Sequence, residues 1–232
     1  MSLAILDWGI GGIDFHARVR ARHPDVPMIY WSDSGATPYG KLSREALAAR
    51  VATVAAALRQ RGASRLVIAC NAASTVLDHP AVAGAGLPVS GVIGGRRTIR
   101  SGLYRRALLA AGRRVCQRVA QPLSAMVERG ELAGPAVALE LDRILAPLRR
   151  IDALVLACTH YTALLAPVRE RLPGVRIIDP AAATLAEVER RGWLSGHGGS
   201  DMFLTTGSPT ATREAAHLAF GARLPEFQRL PL

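Results

Sequence analysis

Residues 65–74, RLVIACNAAS, and residues 153–162, ALVLACTHYT, are the two stretches that decide the fold. Each contains a short apolar run, then Ala-Cys, then a polar residue at the start of a helical pattern. Such runs are typical of buried strands, so Cys70 and Cys158 each lie where a strand ends. In an open α/β sheet, ligands bind at the carboxyl ends of the strands. The repeat therefore predicts two similar halves, each of which contributes a cysteine to a site.

The same alternation of apolar runs and helical patterns extends along the whole chain. The predicted strands are residues 3–7, 26–31, 65–69, 87–93, 153–157, 175–179 and 201–206. The predicted helices are residues 43–61, 98–111, 135–149, 162–171, 181–191 and 208–220, of which the first and last begin at serine, a common N-cap. This alternation predicts an α/β protein built on parallel sheets.

Composition narrows the class of protein. Half of the 232 residues are hydrophobic, which is enough for a substantial core, and no apolar run is long enough to predict a membrane span or a secretory leader. The three cysteines favour reduced thiols and a cytoplasmic location. The net charge of +11 comes almost entirely from arginines that are dispersed along predicted helices, with few aromatic residues, and this pattern does not favour nucleic acid as the main partner.

Two cysteines that face one another across a bound molecule could invert a stereocentre without a cofactor. One thiolate would remove a proton from one face while the opposite thiol supplied a proton to the other. Asp7, at the end of the first predicted strand, and His160, two residues after Cys158, could tune the two thiols. Simpler roles stay open, since strand-end cysteines often only pack, and Asp7 and His160 could be turn or capping residues. The histidines and cysteines show no spacing typical of a metal site.

Eight ordered blocks of sequence resemble the cofactor-independent Asp/Glu racemases, and among them the glutamate racemases. They cover nearly the whole chain and read ILDWGIGG, TPYGK, VIACNAAS, TIRSGLY, MVERGEL, ALVLACTHY, IIDPAAAT and FLTTGSP. The resemblance implies two flavodoxin-like domains in a pseudo-symmetric arrangement with the active site between them. The expected limits are residues 1–92 with 196–232 for the first domain and 93–195 for the second.

The resemblance also assigns roles to individual residues. Cys70 and Cys158 match the catalytic cysteines, Asp7 and His160 match the residues that assist them, and Glu128 matches a further acidic residue of the site. The expected substrate contacts are Trp8, Pro38, Tyr39, Gly40, Asn71, Ala72 and Thr159. Within this set, Asn71 and Thr159 would hold the amino and carboxylate groups of the substrate. The implied substrate is a small acidic amino acid, glutamate first, with no cofactor and no metal; a homodimer is left open.

Three features depart from the family pattern. Trp8 stands where the family has a serine, and Ala72 stands where it has a threonine, so two hydroxyl donors are lost. The stretch PVSGVIGGRRTIRSG, residues 88–102, joins two family blocks that a helix and a strand usually separate, which predicts a shortened second domain. These departures support an alternative function, a catalytically impaired relative that acts as a binding or regulatory protein. A third alternative is a related decarboxylase or isomerase. Such enzymes need only one of the two cysteines, so the retention of both counts against this alternative.

Overall fold

The computed structural model describes residues 2–76, 89–196 and 198–231, and the strands in this part of the chain form two parallel sheets. The first sheet contains β1 (Ser2–Asp7), β2 (Met28–Ser32), β3 (Ala63–Ile68), β8 (Met202–Thr205) and β9 (Gln228–Arg229) in the order β3-β1-β2-β8-β9. The second contains β4 (Val89–Gly94), β5 (Arg114–Val119), β6 (Ala153–Ala157) and β7 (Arg176–Ile178) in the order β5-β4-β6-β7. The predicted fold class, two parallel-sheet α/β units, is confirmed.

Nine α-helices connect these strands within the described residues. They are α1 (Ile13–Arg22), α2 (Arg44–Gln60), α3 (Arg96–Ser101), α4 (Leu103–Ala110), α5 (Gln121–Glu128), α6 (Pro135–Leu145), α7 (Leu165–Arg171), α8 (Pro180–Arg190) and α9 (Pro209–Phe220). Ser43, Asp179 and Ser208 cap the starts of α2, α8 and α9 with side-chain hydrogen bonds to the first turn. None of these helices combines the length and the apolar character that a bilayer-crossing segment needs.

Several predicted elements differ in detail from the structure. The single helix predicted over residues 98–111 is two helices, because Gly102 adopts a left-handed conformation (φ 68°) between α3 and α4. The sequence prediction missed β5, β9, α1 and α5. The strand predicted over residues 87–93 begins at two residues outside the described part of the chain, and β4 covers its remainder.

The stretch that joins two family blocks folds as a direct strand-to-helix connection. β4 ends at Gly94, α3 begins at Arg96, and Gly95 alone connects them. β4 pairs with β5 and β6, so it lies wholly in the second sheet, although the expected domain limit at 92/93 falls inside it. The expected limits of the two domains otherwise remain a prediction.

The cores of the two halves meet at the carboxyl ends of the central strands. Leu3 to Leu6 of β1 and all five residues of β6 are buried, and the largest apolar cluster contains side chains from both sheets, among them Ile5, Ile93 and Leu156. Parallel pairing brings the ends of β1, β3, β4 and β6 to one crevice. The residues that follow these strands are therefore placed to form a site between the halves.

Candidate active site

A cavity of about 340 Å³ lies in this crevice, and both halves line it. All twelve residues that the sequence singled out line its wall: Asp7, Trp8, Pro38, Tyr39, Gly40, Cys70, Asn71, Ala72, Glu128, Cys158, Thr159 and His160. The structure thus brings the predicted residues together, while their catalytic and binding roles remain predictions.

Asp7 ends β1 and links the two halves of the cavity. Its side chain is fully buried; Oδ1 accepts a hydrogen bond from the Gly9 backbone N–H at 3.1 Å, and Oδ2 accepts one from Thr159 Oγ1 at 3.0 Å. Burial raises the pKa of Asp7, against the opposing effects of the His160 charge and of these two hydrogen bonds. A carboxyl group with a raised pKa can take up and release a proton closer to neutral pH.

Cys70 follows β3 and is buried beside Asp7. Burial raises the pKa of the Cys70 thiol, and the neighbouring Asp7 carboxylate raises it further; backbone hydrogen bonds from Ala73 and Trp8 offset only part of this. The charge of Cys158 raises the pKa of Cys70 as well, and both cysteines line the same cavity. Cys70 is therefore a neutral thiol at rest.

Cys158 follows β6 and lies in a different environment. Its Sγ is 3.6 Å from His160 Nδ1 and 3.6 Å from Ser124 Oγ, and His160 Nε2 is 2.5 Å from Glu128 Oε1. Burial would lower the pKa of His160, but its hydrogen bonds to Cys158 and Glu128 outweigh burial and raise it well above the ordinary value. His160 therefore holds a proton between the Glu128 carboxylate and the Cys158 sulfur.

Glu128 completes this chain of polar groups from the second half. Burial raises the pKa of Glu128, but the hydrogen bond and the charge of His160 dominate and lower it. Its Oε1 also accepts a hydrogen bond from the Ile10 backbone N–H at 3.2 Å. Glu128 thus fixes the ring of His160 relative to the loop after β1.

The glycines of residues 8–12, WGIGG, permit this close approach. A Cβ atom at Gly9 would collide with the Glu128 carboxylate, and one at Gly11 would collide with the Thr159 side chain. The glycines at positions 9 and 11 are therefore explained by close contact between the two halves.

The two residues that depart from the family pattern form part of the wall. Trp8 Nε1 donates a hydrogen bond to the Ala36 backbone oxygen at 3.2 Å, which anchors the indole at the cavity edge. Trp8 and Ala72 also pack against the apolar core of the first sheet. Neither prevents Cys70 and Cys158 from lining one cavity.

Two other predicted contact residues, Tyr39 and Asn71, are held by side-chain hydrogen bonds. Tyr39 donates its hydroxyl to Asp33 Oδ2 at 2.7 Å, and Asp33 is paired with Arg50. Asn71 Oδ1 accepts a hydrogen bond from the Tyr104 hydroxyl at 2.5 Å, so a residue of the second half orients a side chain of the first. These supports fix the positions of the side chains before any ligand binds.

Several lining residues were missed by sequence reasoning: Lys41, Gly95, Arg97, Thr98, Gln121, Ser124, Ala125 and Ala157. Two had a usable signal. Thr98 begins the block TIRSGLY, and Ser124 precedes Glu128 by four residues on the same helix, a spacing that places both on one face. No sequence signal distinguished Arg97, because the chain contains many arginines.

A family model described as Asp/Glu/Hydantoin racemase matches residues 81–188. Glutamate racemase from Gloeobacter violaceus is 35% identical over 211 residues, covering 81% of this chain and 79% of the relative. The chain belongs to the glutamate racemase family. Glutamate racemase from Thermus thermophilus is 30% identical over 254 residues, covering 99% of this chain and 96% of the relative.

Solved structures of the family agree with this assignment. Glutamate racemase from Thermus thermophilus in complex with beta-chloro-D-alanine has a TM-score of 0.87 and 27% identity, covering 100% of this chain and 97% of that one. Glutamate racemase isoform RacE1 from Bacillus anthracis also gives a TM-score of 0.87, with 25% identity, covering 100% of this chain and 97% of that one. The family resemblance is confirmed, and the protein is an amino-acid racemase, as predicted.

Proposed function

We propose that the protein interconverts the D and L forms of glutamate by proton exchange between two thiols. The observation that carries this proposal is the placement of Cys70 and Cys158 after corresponding strands of two sheets, on the wall of one cavity, with an acid–base group beside each. Glutamate is the substrate that the names of the sequence relatives indicate.

The unequal environments of the two cysteines define their roles. In the first direction Cys158, whose Sγ lies 3.6 Å from His160 Nδ1, acts as the thiolate base, and Cys70 acts as the thiol acid. Cys158 removes the α-proton: the Cα–H bond breaks and an S–H bond forms. Cys70 then donates its proton to the opposite face of the α-carbon, so its S–H bond breaks and a new Cα–H bond forms. The product has the opposite configuration, and Cys70 is left as the thiolate.

The reverse direction begins with Cys70 as the base. Asp7 lies beside Cys70, and its raised pKa makes it a suitable acceptor for the proton that Cys70 must lose. Asn71 adjoins Cys70 and Thr159 adjoins Cys158, and both line the cavity, where they are placed to hold the amino and carboxylate groups of the amino acid. Correctly placed proton transfer contributes about 10²- to 10⁴-fold to rates of this kind.

The proposal is tested by following circular dichroism of D- or L-glutamate solutions with wild-type protein and with Cys70→Ser and Cys158→Ser. Each variant should lose at least about 100-fold in the rate of racemisation. Cys116→Ser is the matched control, because Cys116 lies on β5 and does not line the cavity. Full activity of either active-site variant would refute the two-thiol mechanism. A folded wild-type protein without activity on glutamate would refute the substrate and favour a binding or regulatory role.

The remaining predictions from the sequence are unchanged. A small acidic amino acid is the expected ligand, nucleic acid is not an expected partner, and homodimer formation and a cytoplasmic location stay predictions.

A further inference from the structure

Arg97 is a cavity residue that neither the sequence motifs nor the proposed proton transfers use. It lies in the first turn of α3, in the second half, and its half-buried side chain reaches the first half. Nε donates a hydrogen bond to Thr75 Oγ1 at 2.8 Å, and Nη1 donates one to the Leu42 backbone oxygen at 2.6 Å. The guanidinium group therefore lies at the junction of the two halves, on the cavity wall.

Not every N–H donor of the Arg97 guanidinium group has a hydrogen-bond acceptor among the described residues. Arginine has five N–H donors, and the two bonds to Thr75 and Leu42 leave Nη2 without a hydrogen bond to any described residue. Neither acceptor is a carboxylate. Burial lowers the pKa of Arg97, and nearby Arg44 lowers it further, with Glu45 opposing. The environment of this cation thus favours an added anion.

Helix α5 shows where Arg97 lies relative to the acid–base groups. The start of α5 lies beside Gly40 and α3. Gln121 Oε1 would be the nearest atom to a Cβ placed at Gly40 or Gly95. It also accepts a hydrogen bond from the Arg96 backbone N–H at 3.1 Å. At the end of α5, Glu128 contacts His160. Seven residues of helix separate these points by about 10 Å. The cavity therefore has a cationic end beside α3 and an acid–base end beside His160.

We propose that Arg97 binds the side-chain carboxylate of the substrate and so selects acidic amino acids; this inference rests on the proposed function. When the α-carbon lies between the two thiols, the side chain has the cationic end of the cavity available to it. Arginine and carboxylate form strong, bidentate hydrogen bonds. Arg97 also provides donors in a site that has Trp8 and Ala72 where its relatives offer hydroxyls.

The competing role is structural, since the bonds to Thr75 and Leu42 also hold the two halves together. Arg97→Gln distinguishes the two roles, because glutamine can keep a hydrogen bond across the junction but has no charge. The readout is the ratio of kcat/KM for glutamate to kcat/KM for glutamine, which differ only in the charge of the side chain. The control is Arg100→Gln on the same helix, where the side chain is exposed and does not line the cavity.

Arg97→Gln should raise KM for glutamate about 10- to 100-fold, change kcat less, and lower the glutamate-to-glutamine ratio by a similar factor. Arg97→Lys should recover part of the ratio. Arg100→Gln should leave it unchanged. An unchanged ratio in Arg97→Gln, with both substrates equally impaired, would overturn the assignment and leave Arg97 a structural contact.

Binding provides a test that does not depend on turnover. D-glutamate is titrated by calorimetry into Cys70→Ser and into Cys70→Ser with Arg97→Gln, and the second protein should bind about 10- to 100-fold more weakly. Equal affinities, or no binding to Cys70→Ser, would overturn the role of Arg97. Arg97-dependent binding by a protein that does not racemise glutamate would refute only the proposed function.

Discussion

Thr159 Oγ1 donates a hydrogen bond to Asp7 Oδ2 at 3.0 Å, joining the second residue after β6 to the last residue of β1. This bond connects the two sheets at the point where substrate would be held. Because Thr159 adjoins Cys158, and Asp7 raises the pKa of Cys70, a movement of one half relative to the other would alter the environment of both thiols. The relative position of the halves thus sets the environment of both thiols.

Glu128→Gln should slow racemisation about 10- to 100-fold, because a neutral amide stabilises protonated His160 less than a carboxylate does. The pKa of His160, measured by NMR titration of its ring protons, should fall in the variant. Glu131→Gln is the matched control, since this partly exposed residue pairs with Arg129 and does not line the cavity. An unchanged His160 titration in Glu128→Gln would contradict the assigned interaction.

The pair of His160 and Glu128 should make stability depend on pH in a defined window. The raised pKa of His160 contributes stability that is complete below its unfolded value of about 6.5 and is lost as pH rises through the folded value. The lowered pKa of Glu128 contributes stability that is complete above its unfolded value of about 4.3 and is lost as pH falls through the folded value.

The difference in unfolding free energy between wild type and Glu128→Gln should therefore be greatest between about pH 4.3 and 6.5. Urea unfolding at a series of pH values measures it. The same comparison with Glu131→Gln should show no maximum in that window. A difference for Glu128→Gln that does not vary with pH would show that the two groups do not form a charged pair.

Gly9→Ala should destabilise the protein by about 1–3 kcal/mol and lower activity, because the added methyl group would displace the Glu128 carboxylate. The double variant with Glu128→Ala isolates this contact, since removal of the carboxylate makes room for the methyl group. Gly9→Ala should then cost less than it does in wild type. Stability is measured by thermal unfolding. If Gly9→Ala costs as much in Glu128→Ala as in wild type, the contact with Glu128 is not the cause of the destabilisation.

Alkylation should separate the three cysteines at neutral pH. Cys158, whose Sγ lies 3.6 Å from His160 Nδ1, should react fastest with iodoacetamide, whereas Cys70, whose raised pKa keeps it protonated, should react slowly. Peptide mass spectrometry over a time course gives each rate, with Cys116 as the internal reference. In His160→Asn the advantage of Cys158 should disappear. Faster labelling of Cys70 than of Cys158 in wild type would reverse the roles assigned to the two cysteines.

The sequence predicted much of the fold and the site because strand ends are visible in it. Asp7, Cys70 and Cys158 each lie at the end of an apolar run, and parallel topology brings such residues to one edge. By contrast, β5 was missed because RVCQRV contains two arginines and no continuous apolar run, as an edge strand allows. Ser124 and Gln121 were missed with α5, and their positions depend on how that helix packs between the halves.

Two thiols that act on opposite faces of one α-carbon leave a distinct isotope pattern in substrate and product. The most direct measurement is NMR of single glutamate enantiomers in deuterated buffer at early times, with each enantiomer as the starting material. Solvent deuterium should appear at the α-carbon of the product enantiomer first, while the remaining substrate keeps its α-proton. Deuterium that enters substrate and product at similar rates would indicate a single exchanging base and would contradict the two-thiol account.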